Sequence, residues 1–529
     1  MEAYVEDTAG GRGSRAGLWR LALVALLVAA AIFHLLTLLR TPPPFCDEGW
    51  RACRAWSLVT TGRAFGTLDA GVIDRFPGHW TFFPQVDTWL AALSLRAFGP
   101  SLFAVRLTSL VFGLVLVGAI YAIGAVTAGP RAGLIAATLV AISRAFLHSA
   151  HLGRGDVIAA ALGYGAVALY LATPAKATAA GKPAGRLRSW FPSLLAGLAV
   201  GLACEVHANG AIYGPGLVAV GLLERGWREL GSRRFWSMMA GVGAGLAFYA
   251  ALHILPYPQT YAALLRIGFG PTHAPPLLTL DPGLWRRSLA DTWKLLVTFG
   301  RSHVVLAGVA AGALLARRSL ADRKLVALSG ARGRVRGPGA QQAPAIDLLL
   351  AALIDRLLGQ AGRWRRQGRR RIGHGLTLAA ALVGGTLLAT SVRGLAPARE
   401  DPMPDLRTTL ASLRQAIPAG RVIMGSQTYW FGLREERYLS WEQLVIYRRA
   451  APGSTLAEAF AALRPDYFLL DGHIRYFVVD DAPRLDEYRR SLALPRAELN
   501  AFLARQARLV AVIKTEKSGD IQVYELVWR

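Results

Sequence analysis

Residues 18–50 read LWRLALVALLVAAAIFHLLTLLRTPPPFCDEGW. The apolar run 18–39 has the length of about 20 residues that a helix needs to cross a bilayer. It lacks a small-residue cleavage site, so it predicts a retained membrane anchor. Asp47 and Glu48 follow it, and a carboxylate at a membrane surface is costly unless it is paired or used. The pair therefore predicts a functional site; the alternative is that Asp47 only caps the next helix.

Further apolar segments predict a polytopic α-helical membrane protein with about nine transmembrane helices. Hydrophobic residues form 53% of the chain, and the mean hydropathy is +0.34. The spans after the first are predicted at 102–126, 132–147, 157–171, 190–204, 211–223, 235–255, 293–315 and 375–395. Only the polar turn 205–210 separates two of them, which predicts a hairpin whose tip enters a cavity.

The Lys and Arg residues set the orientation, because short basic loops stay in the cytoplasm. Basic clusters precede the first span, lie between the fourth and fifth and between the sixth and seventh, and fill the loop 317–371. With nine spans, all of these clusters fall on one side. The sequence therefore predicts a cytoplasmic tail (1–17), a transmembrane domain (18–395) and an external C-terminal domain.

The net charge of +26 comes mainly from these loops. No basic motif is interleaved with aromatic residues, so we expect no nucleic-acid partner and expect anionic lipid head groups instead. Within the basic loop, 346–358 is amphipathic and is predicted to lie along the inner membrane surface. The high usage of Ala, Gly, Arg and Leu is typical of a GC-rich genome, which predicts a bacterial plasma membrane.

Three segments are predicted on the external side: 41–100, 256–292 and 396–529. The last has the size and pattern of a soluble α/β domain. Its helices are predicted at 406–416 and 455–463, and its strands at 422–431, 467–471, 509–514 and 522–528. Cys46 and Cys53, on one predicted helix, lie about 10 Å apart, too far for a disulfide. We expect free thiols.

Two motifs on the external side resemble a known family. The first combines DEGW at 47–50 with DRFPGH at 74–79, and the second is HSAHLGRGD at 148–156. Both resemble external loops of the GT-C glycosyltransferases, and of glycosyltransferase family 39 in particular, with its protein O-mannosyltransferases and aminoarabinose transferases. The resemblance covers residues 1–225 and departs at His79, where the aminoarabinose transferases have a lysine before a proline pair.

The resemblance implies a GT-C fold and an enzyme that moves a sugar from a polyprenyl-phosphate donor to an acceptor hydroxyl, with inversion at the anomeric carbon. It implies that Asp47 is the general base and that Glu48 orients it or binds sugar hydroxyls. Asp156 is expected to pair with Arg154 or approach the same cavity, and the alternative is a helix N-cap. Arg154 is a candidate for bidentate binding of the donor phosphate.

Other polar residues are candidate substrate ligands. Arg51, Arg54 and His79 are rival ligands of the phosphate, although the two arginines, at i and i+3 spacing, also fit a solvated helix face. Glu205 and His207 lie on the polar turn near the expected cavity. For His207 the alternative is a polar residue satisfied by its neighbours, which is the commoner role of a lone histidine.

Cofactor and acceptor are left open by the sequence. His148 and His151 lie near Asp156, which allows a divalent metal, but the spacing is ordinary and we assign no ligand. The acceptor is a lipid, a glycan or a protein; Tyr429 and Trp430 are candidates for binding it, with core packing as the alternative. Two other functions compete: a transporter or flippase of a lipid-linked or anionic substrate, and an inactive GT-C-like scaffold for envelope assembly.

Overall fold

The computed structural model describes residues 7–173, 190–269, 343–367, 369–394, 402–480, 491–515 and 519–528. Most of these residues are helical. The helices before residue 270 are α1 (Asp7–Thr37), α2 (Cys46–Thr61), α3 (Gln85–Phe98), α4 (Leu102–Ala128), α5 (Pro130–Ala141), α6 (Arg144–His151), α7 (Asp156–Ala172), α8 (Phe191–Val206), α9 (Tyr213–Arg225), α10 (Arg233–Tyr249) and α11 (Pro258–Phe269). Two more, α12 (Ala343–Arg366) and α13 (Arg370–Gly394), precede the C-terminal domain.

Among the described residues, four helices are long and apolar enough to cross a membrane. They are α1, α4, α13 and α10 with its π-helical extension Ala250–Ile254. The chain is a multi-pass membrane protein, as the sequence predicts. The predicted count of nine stays a prediction, because the span 293–315 and much of the loop 317–371 lie outside the described residues, as does 270–292 of the segment 256–292.

The predicted span 132–147 is wrong as one continuous helix. It consists of α5 and α6, which are bent by 62° at the residues between them. Ser143 begins α6, because its Oγ accepts a hydrogen bond from the Phe146 backbone N at 3.1 Å, and serine is a favoured N-cap. After the bend, α6 ends at His151, and the loop that contains Arg154 follows it directly in the sequence.

Close helix packing fixes the middle of the membrane domain. The helices α8 and α10 approach each other at Gly201 and Gly245, where a Cβ atom on Gly201 would lie 2.5 Å from the Gly245 Cα. Only glycine permits such an approach of two backbones, and small residues are common at contacts between membrane helices. The carboxyl end of α8, with Glu205 and the turn after it, is thereby held against the rest of the domain.

The helix α12 covers the predicted amphipathic segment 346–358. The prediction that this segment lies along the membrane surface is wrong in part, because Leu348, Leu350 and Ile354 are buried in the main core of the membrane domain. There α12 packs against α5 and α13. An apolar stripe on a helix is buried equally well by protein or by lipid, and this pattern does not distinguish the two.

The C-terminal domain contains a five-stranded sheet with the order β2-β1-β3-β7-β6. Strand β1 pairs in parallel with β2 and β3, and β7 pairs antiparallel with β3 and β6. The strands are β1 (Val422–Gly425), β2 (Arg437–Ser440), β3 (Tyr467–Leu470), β4 (Val478–Val479), β5 (Leu494–Pro495), β6 (Ala507–Ile513) and β7 (Ile521–Leu526), with β4 and β5 as a separate pair. The helices are α14 (Met403–Ala416), α15 (Trp430–Leu433), α16 (Glu442–Ala450), α17 (Leu456–Leu463), α18 (Gly472–Phe477) and α19 (Arg496–Gln506).

The predicted helices 406–416 and 455–463 and three of the four predicted strands are confirmed within a few residues. The prediction of a strand over 422–431 is wrong after Gly425. There the chain turns into a 3-10 helix, Gln427–Tyr429, and then α15. Tyr429 and Trp430 are buried in that turn, so burial produced a strand-like pattern where the backbone is helical.

One apolar core joins the C-terminal domain to the segment 41–100. It contains side chains of α2 and α3 together with Ile423, Tyr438 and Val523 of the sheet. Gly49 on α2 lies against the Gln427 backbone, so closely that a Cβ atom would collide with the Gln427 carbonyl oxygen. The two cysteines of α2, Cys46 and Cys53, are buried and free. The first turn of α2 is therefore held between the membrane domain and the sheet.

Candidate active site

The first turn of α2 directs its two carboxylates into different environments. The Asp47 side chain is 44% exposed, whereas the Glu48 side chain is completely buried. Successive residues of a helix are rotated by about 100°, so neighbours in sequence face different directions. The Asp-Glu pair is therefore two sites with separate partners.

Glu48 is part of a buried ion pair. Its Oε1 and Oε2 accept hydrogen bonds from Arg106 Nε at 2.7 Å and Nη2 at 2.9 Å. The backbone N of Gly153 donates to Oε1 at 2.8 Å, and that of Phe45 donates to Oε2 at 2.9 Å. These four donors correct the expectation that Glu48 binds sugar hydroxyls or orients Asp47: the carboxylate neutralises an arginine inside α4. An arginine within a predicted span was the signal that sequence reasoning missed.

Arg51 is also buried, which corrects both of its predicted roles. Its Nε donates to Asp87 Oδ2 at 3.0 Å, its Nη2 lies 2.7 Å from Asp87 Oδ1, and its Nη1 donates to the Val105 carbonyl oxygen at 3.0 Å. The guanidinium ties α2 to α3 and α4. It is neither on a solvated helix face nor open to a phosphate.

Arg54 and His79 lie closer to the surface. Arg54 forms a bidentate ion pair with the buried Asp69, with Nη2 2.8 Å from Oδ1 and Nε 3.0 Å from Oδ2, and its guanidinium lies 3.7 Å from the centre of the Phe83 ring. The Nδ1 of His79 lies 2.8 Å from the Phe76 carbonyl oxygen. Arg54 stays 21% exposed, so contact with a substrate remains a prediction for it, as for His79.

Arg154 is the centre of a partly exposed cluster of charged side chains. Its Nη1 lies 3.0 Å from Asp47 Oδ2, and its Nε lies 2.8 Å from Asp156 Oδ2. His207 Nε2 lies 3.1 Å from Asp156 Oδ1. Burial disfavours the charge of Arg154, but Asp47 and Asp156 outweigh it and raise the pKa of the guanidinium. Four residues singled out in the sequence thus meet in one cluster.

The alternative role of Asp156 as a helix N-cap is wrong. The helix α7 begins at Asp156 itself, and the N-cap Gly155 has no side chain to accept a bond. The ring of His207 accepts a hydrogen bond at Nδ1 from the Asn209 backbone N at 3.2 Å. Its proton is therefore on Nε2, which faces Asp156, so the turn after α8 presents a donor to the cluster.

Glu205 is not on the open face of the cluster. It is buried at the end of α8, and its carboxylate accepts hydrogen bonds from the backbone N–H groups of Gln85 and Val86 at the start of α3. His253 Nε2 lies 3.1 Å from Oε1. A carboxylate at a helix N-terminus is stabilised by the helix dipole. This corrects the expectation that Glu205 binds substrate: it joins three helices.

Glu442, which sequence reasoning missed, approaches the site from the C-terminal domain. Its Oε1 accepts a hydrogen bond from Gln427 Nε2 at 2.8 Å. Burial, and then repulsion by Asp47, raise the pKa of Glu442 to about 7. Nothing near position 442 in the sequence signals a site, because the residue comes close to Asp47 only through the packing of the sheet on α2.

The described residues contain no group of three or more His, Cys, Asp and Glu side chains placed to hold a metal ion. The arrangement considered for His148, His151 and Asp156 does not form. The ring of His151 has Nε2 at 2.9 Å from His34 Nδ1 and Nδ1 at 2.8 Å from the Thr41 carbonyl oxygen. Neither nitrogen is directed at Asp156.

Part of the chain matches the sequence model of a known protein family. Residues 84–254 match the sequence model of a family described as dolichyl-phosphate-mannose-protein mannosyltransferase. This region contains Arg154, Asp156 and His207 but not Asp47. No curated protein sequence matches the chain.

Solved structures match over nearly the whole chain. ArnT from Cupriavidus metallidurans bound to undecaprenyl phosphate has a TM-score of 0.56 and 14% identity, and the match covers 95% of this chain and 97% of that one. The oligosaccharyltransferase of Archaeoglobus fulgidus tethered to an acceptor peptide has a TM-score of 0.53 and 13% identity, and the match covers 94% of this chain and 74% of the other. The AglB oligosaccharyltransferase of the same organism, in complex with an inhibitory peptide and a dolichol-phosphate, has a TM-score of 0.50 and 14% identity. That match covers 86% of this chain and 70% of the other. These likenesses establish the fold.

Proposed function

We propose that this chain, which has the GT-C fold and is of the protein mannosyltransferase and ArnT type, transfers a sugar from a polyprenyl-phosphate donor to an acceptor hydroxyl. The matching relatives support the donor class, since their structures contain undecaprenyl phosphate or a dolichol-phosphate. The observation that carries the proposal within this chain is the cluster of Asp47, Arg154, Asp156 and His207. It combines an exposed carboxylate with a partly exposed arginine.

Asp47 is the proposed general base. Its Oδ2 is paired with Arg154, while the one donor to Oδ1 among the described residues is the weak donor Cys46 Sγ at 3.6 Å. Among the four carboxylates Asp47, Glu48, Asp156 and Glu205 it is the exposed one, and a base must reach the proton that it removes. The three others are each buried against protein donors.

Arg154 is the proposed ligand of the donor phosphate. Its Nη1 and Nε are paired with Asp47 and Asp156, and its Nη2 has no partner in the part of the chain that the structure describes. Asp156 and His207 then act through Arg154 by holding its position. A fixed guanidinium fits a phosphate better than a mobile ammonium does.

The proposed reaction is a single displacement at the anomeric carbon. The acceptor O–H loses its proton to Asp47, and the oxygen forms a new bond to the anomeric carbon. The bond from that carbon to the phosphate oxygen breaks, and the electron pair leaves with the polyprenyl phosphate, whose charge Arg154 stabilises. Attack opposite the leaving group inverts the anomeric centre.

We place the reaction on the outer face of a bacterial plasma membrane. The basic loops predicted on the opposite side of the membrane support this orientation. The first turn of α2 and the C-terminal domain then both lie outside, where a lipid-linked donor in the outer leaflet reaches Arg154.

The test is sugar transfer from a panel of radiolabelled polyprenyl-phosphate sugars by the purified protein, compared with Asp47→Asn. The matched control is Asp74→Asn, which removes an exposed carboxylate from the same segment 41–100. We expect Asp47→Asn to lose about 100- to 10,000-fold in turnover, the usual contribution of a general base, and Asp74→Asn to retain it. Equal turnover in the two variants rejects Asp47 as the base, and no turnover with any donor favours a transporter or an inactive scaffold.

A further inference from the structure

The helix α3 exposes an apolar stripe. Trp89 is 43% exposed, and Leu93, one turn later on the same face, is 69% exposed. The opposite face, with Ala92 and Leu95, is buried in the core that joins the segment 41–100 to the C-terminal domain. A helix that is apolar on both faces needs a second apolar environment for the face that the protein leaves open. None of the roles proposed above uses this stripe.

The stripe is continuous with a surface that faces lipid. The Trp89 ring lies 6.4 Å from the ring of Phe248 on α10, and α10 is long and apolar enough to cross a membrane. Ala244 and Ala251, one turn before and one turn after Phe248, are exposed. Exposed apolar positions on a membrane span contact lipid chains. Trp89 and Leu93 therefore extend the lipid-facing surface of α10 onto α3.

The packing of α8 on α10 gives the depth of this contact. Their close contacts are, in chain order, Gly197 with Met238 and Gly201 with Gly245. Because the contacts advance together, the two helices run in the same direction. At this register Val206, the last residue of α8, lies level with Ala250, whereas the π-helical extension of α10 continues to Ile254. The helix α8 therefore stops about one turn before α10 does.

The cluster around Arg154 lies at the level of that earlier end. A Cβ atom on Gly155, the residue after Arg154, would lie 3.1 Å from Val206 Cγ1 and 3.6 Å from Asp87 Cγ on α3. The loop with Arg154, the end of α8 and the first turn of α3 are thus packed side by side. The helices α7 and α8 have 17 and 16 residues, so each is about 25 Å long, less than the roughly 30 Å of a hydrocarbon core.

We propose that α3 is embedded in the membrane leaflet nearest the Arg154 cluster, with Trp89 and Leu93 against the lipid chains, and that the cluster is recessed below the head groups by about one helical turn. The start of α3 suits this position, because the Glu205 carboxylate accepts from the Gln85 and Val86 backbone N–H groups, which lipid cannot satisfy. The position of α3 is independent of the proposed reaction.

The test is nitroxide spin labelling of the purified full chain in phospholipid vesicles. Collision rates of the label are measured with oxygen, which partitions into hydrocarbon, and with a water-soluble nickel chelate. The label is attached to Leu93→Cys, with Ala244→Cys on α10 as the lipid control and Arg63→Cys, after α2, as the water control. Every variant also carries Cys204→Ala, which removes a half-buried thiol, and the two other native thiols are buried. We expect the ratio of oxygen to nickel collisions at position 93 to match that at position 244 and to exceed that at position 63 severalfold.

A label at Leu255→Cys tests the depth. Leu255 directly follows the π-helical extension of α10, so we expect more nickel collisions there than at position 93. The inference is overturned by frequent nickel collisions at position 93, which would place α3 in water, and by infrequent collisions with both reagents, which would place the stripe under protein. A label that is shallower at position 93 than at position 255 overturns the recess. Leu93 is exposed, so its replacement is expected to leave the melting temperature unchanged, and the labels need no turnover.

Discussion

Two ion-pair regions meet at the first turn of α2, and they differ in exposure. One region, which we call the buried frame, consists of Glu48 with Arg106 and Arg51 with Asp87. The other is the open cluster of Asp47, Arg154, Asp156 and His207. Charged residues in the buried frame are neutralised by one another, whereas the open cluster retains an exposed carboxylate. A charged residue near a membrane therefore indicates a binding site only when it is exposed and not fully paired within the protein.

The buried frame explains why the open cluster is held in place. Arg106 joins α4 to the first turn of α2 through Glu48, and the same carboxylate accepts from the Gly153 backbone N. Gly153 immediately precedes Arg154. Glu48 therefore joins α2 and α4 to the loop that carries the arginine of the cluster.

The largest effect is expected from breaking the buried frame. Arg106→Leu leaves Glu48 charged and unpaired in the core, and removal of one partner of a buried pair typically costs about 3–5 kcal/mol. Thermal unfolding of the purified protein measures this. The control Arg63→Leu alters an exposed arginine just after α2 and is expected to change stability by less than about 0.5 kcal/mol.

A double variant sharpens the same prediction. Glu48→Leu together with Arg106→Leu removes both charges, so its stability is expected to lie above that of Arg106→Leu alone, because no unpaired charge remains. A double variant that is less stable than the single one contradicts the view that the two residues mainly neutralise each other.

A smaller effect is expected in the open cluster. Arg154→Lys keeps the charge but loses the planar fork, so it cannot pair with Asp47, Asp156 and a phosphate together. Loss of one charge-assisted hydrogen bond is worth about 1.5–3 kcal/mol, so the KM for the donor is expected to rise roughly 10- to 100-fold. The melting temperature is expected to change little. An unchanged KM contradicts the assignment of the phosphate to Arg154.

An effect that depends on pH is expected at Glu442, which approaches the open cluster from the C-terminal domain. Its pKa is raised to about 7 by burial and by Asp47, so the folded protein holds a proton that the unfolded chain releases. This stabilisation is complete below the unfolded pKa of about 4.3 and is lost as the pH rises through 7.

Glu442→Gln is neutral at every pH. Relative to the unchanged protein it is expected to gain stability between pH 5 and pH 8, by at most about 3 kcal/mol. Unfolding curves at the two pH values measure the change, with the exposed Glu435→Gln as control. A stability difference that does not vary with pH contradicts the raised pKa.

The membrane helices, the sheet and the open cluster were predictable in large part from the sequence. Apolar length identified the four helices that are long enough to cross a membrane in the described part of the chain. The sequence also singled out Asp47, Arg154, Asp156 and His207. The roles of Glu48, Arg51 and Glu205 were not predictable, since each depends on a partner from another segment. Of these partners only Arg106 left a signal, as an arginine inside an apolar span.

A comparison of Asp47→Asn with Glu48→Gln tests whether Asp47 is the base and Glu48 is structural, with sugar transfer per folded molecule and the melting temperature measured for each variant. Our account predicts that Asp47→Asn loses transfer by at least about 100-fold with little change in melting temperature. It predicts that Glu48→Gln melts at a markedly lower temperature while its folded fraction retains more transfer than Asp47→Asn. The reverse result, with transfer surviving in Asp47→Asn and abolished in a fully stable Glu48→Gln, would contradict the account.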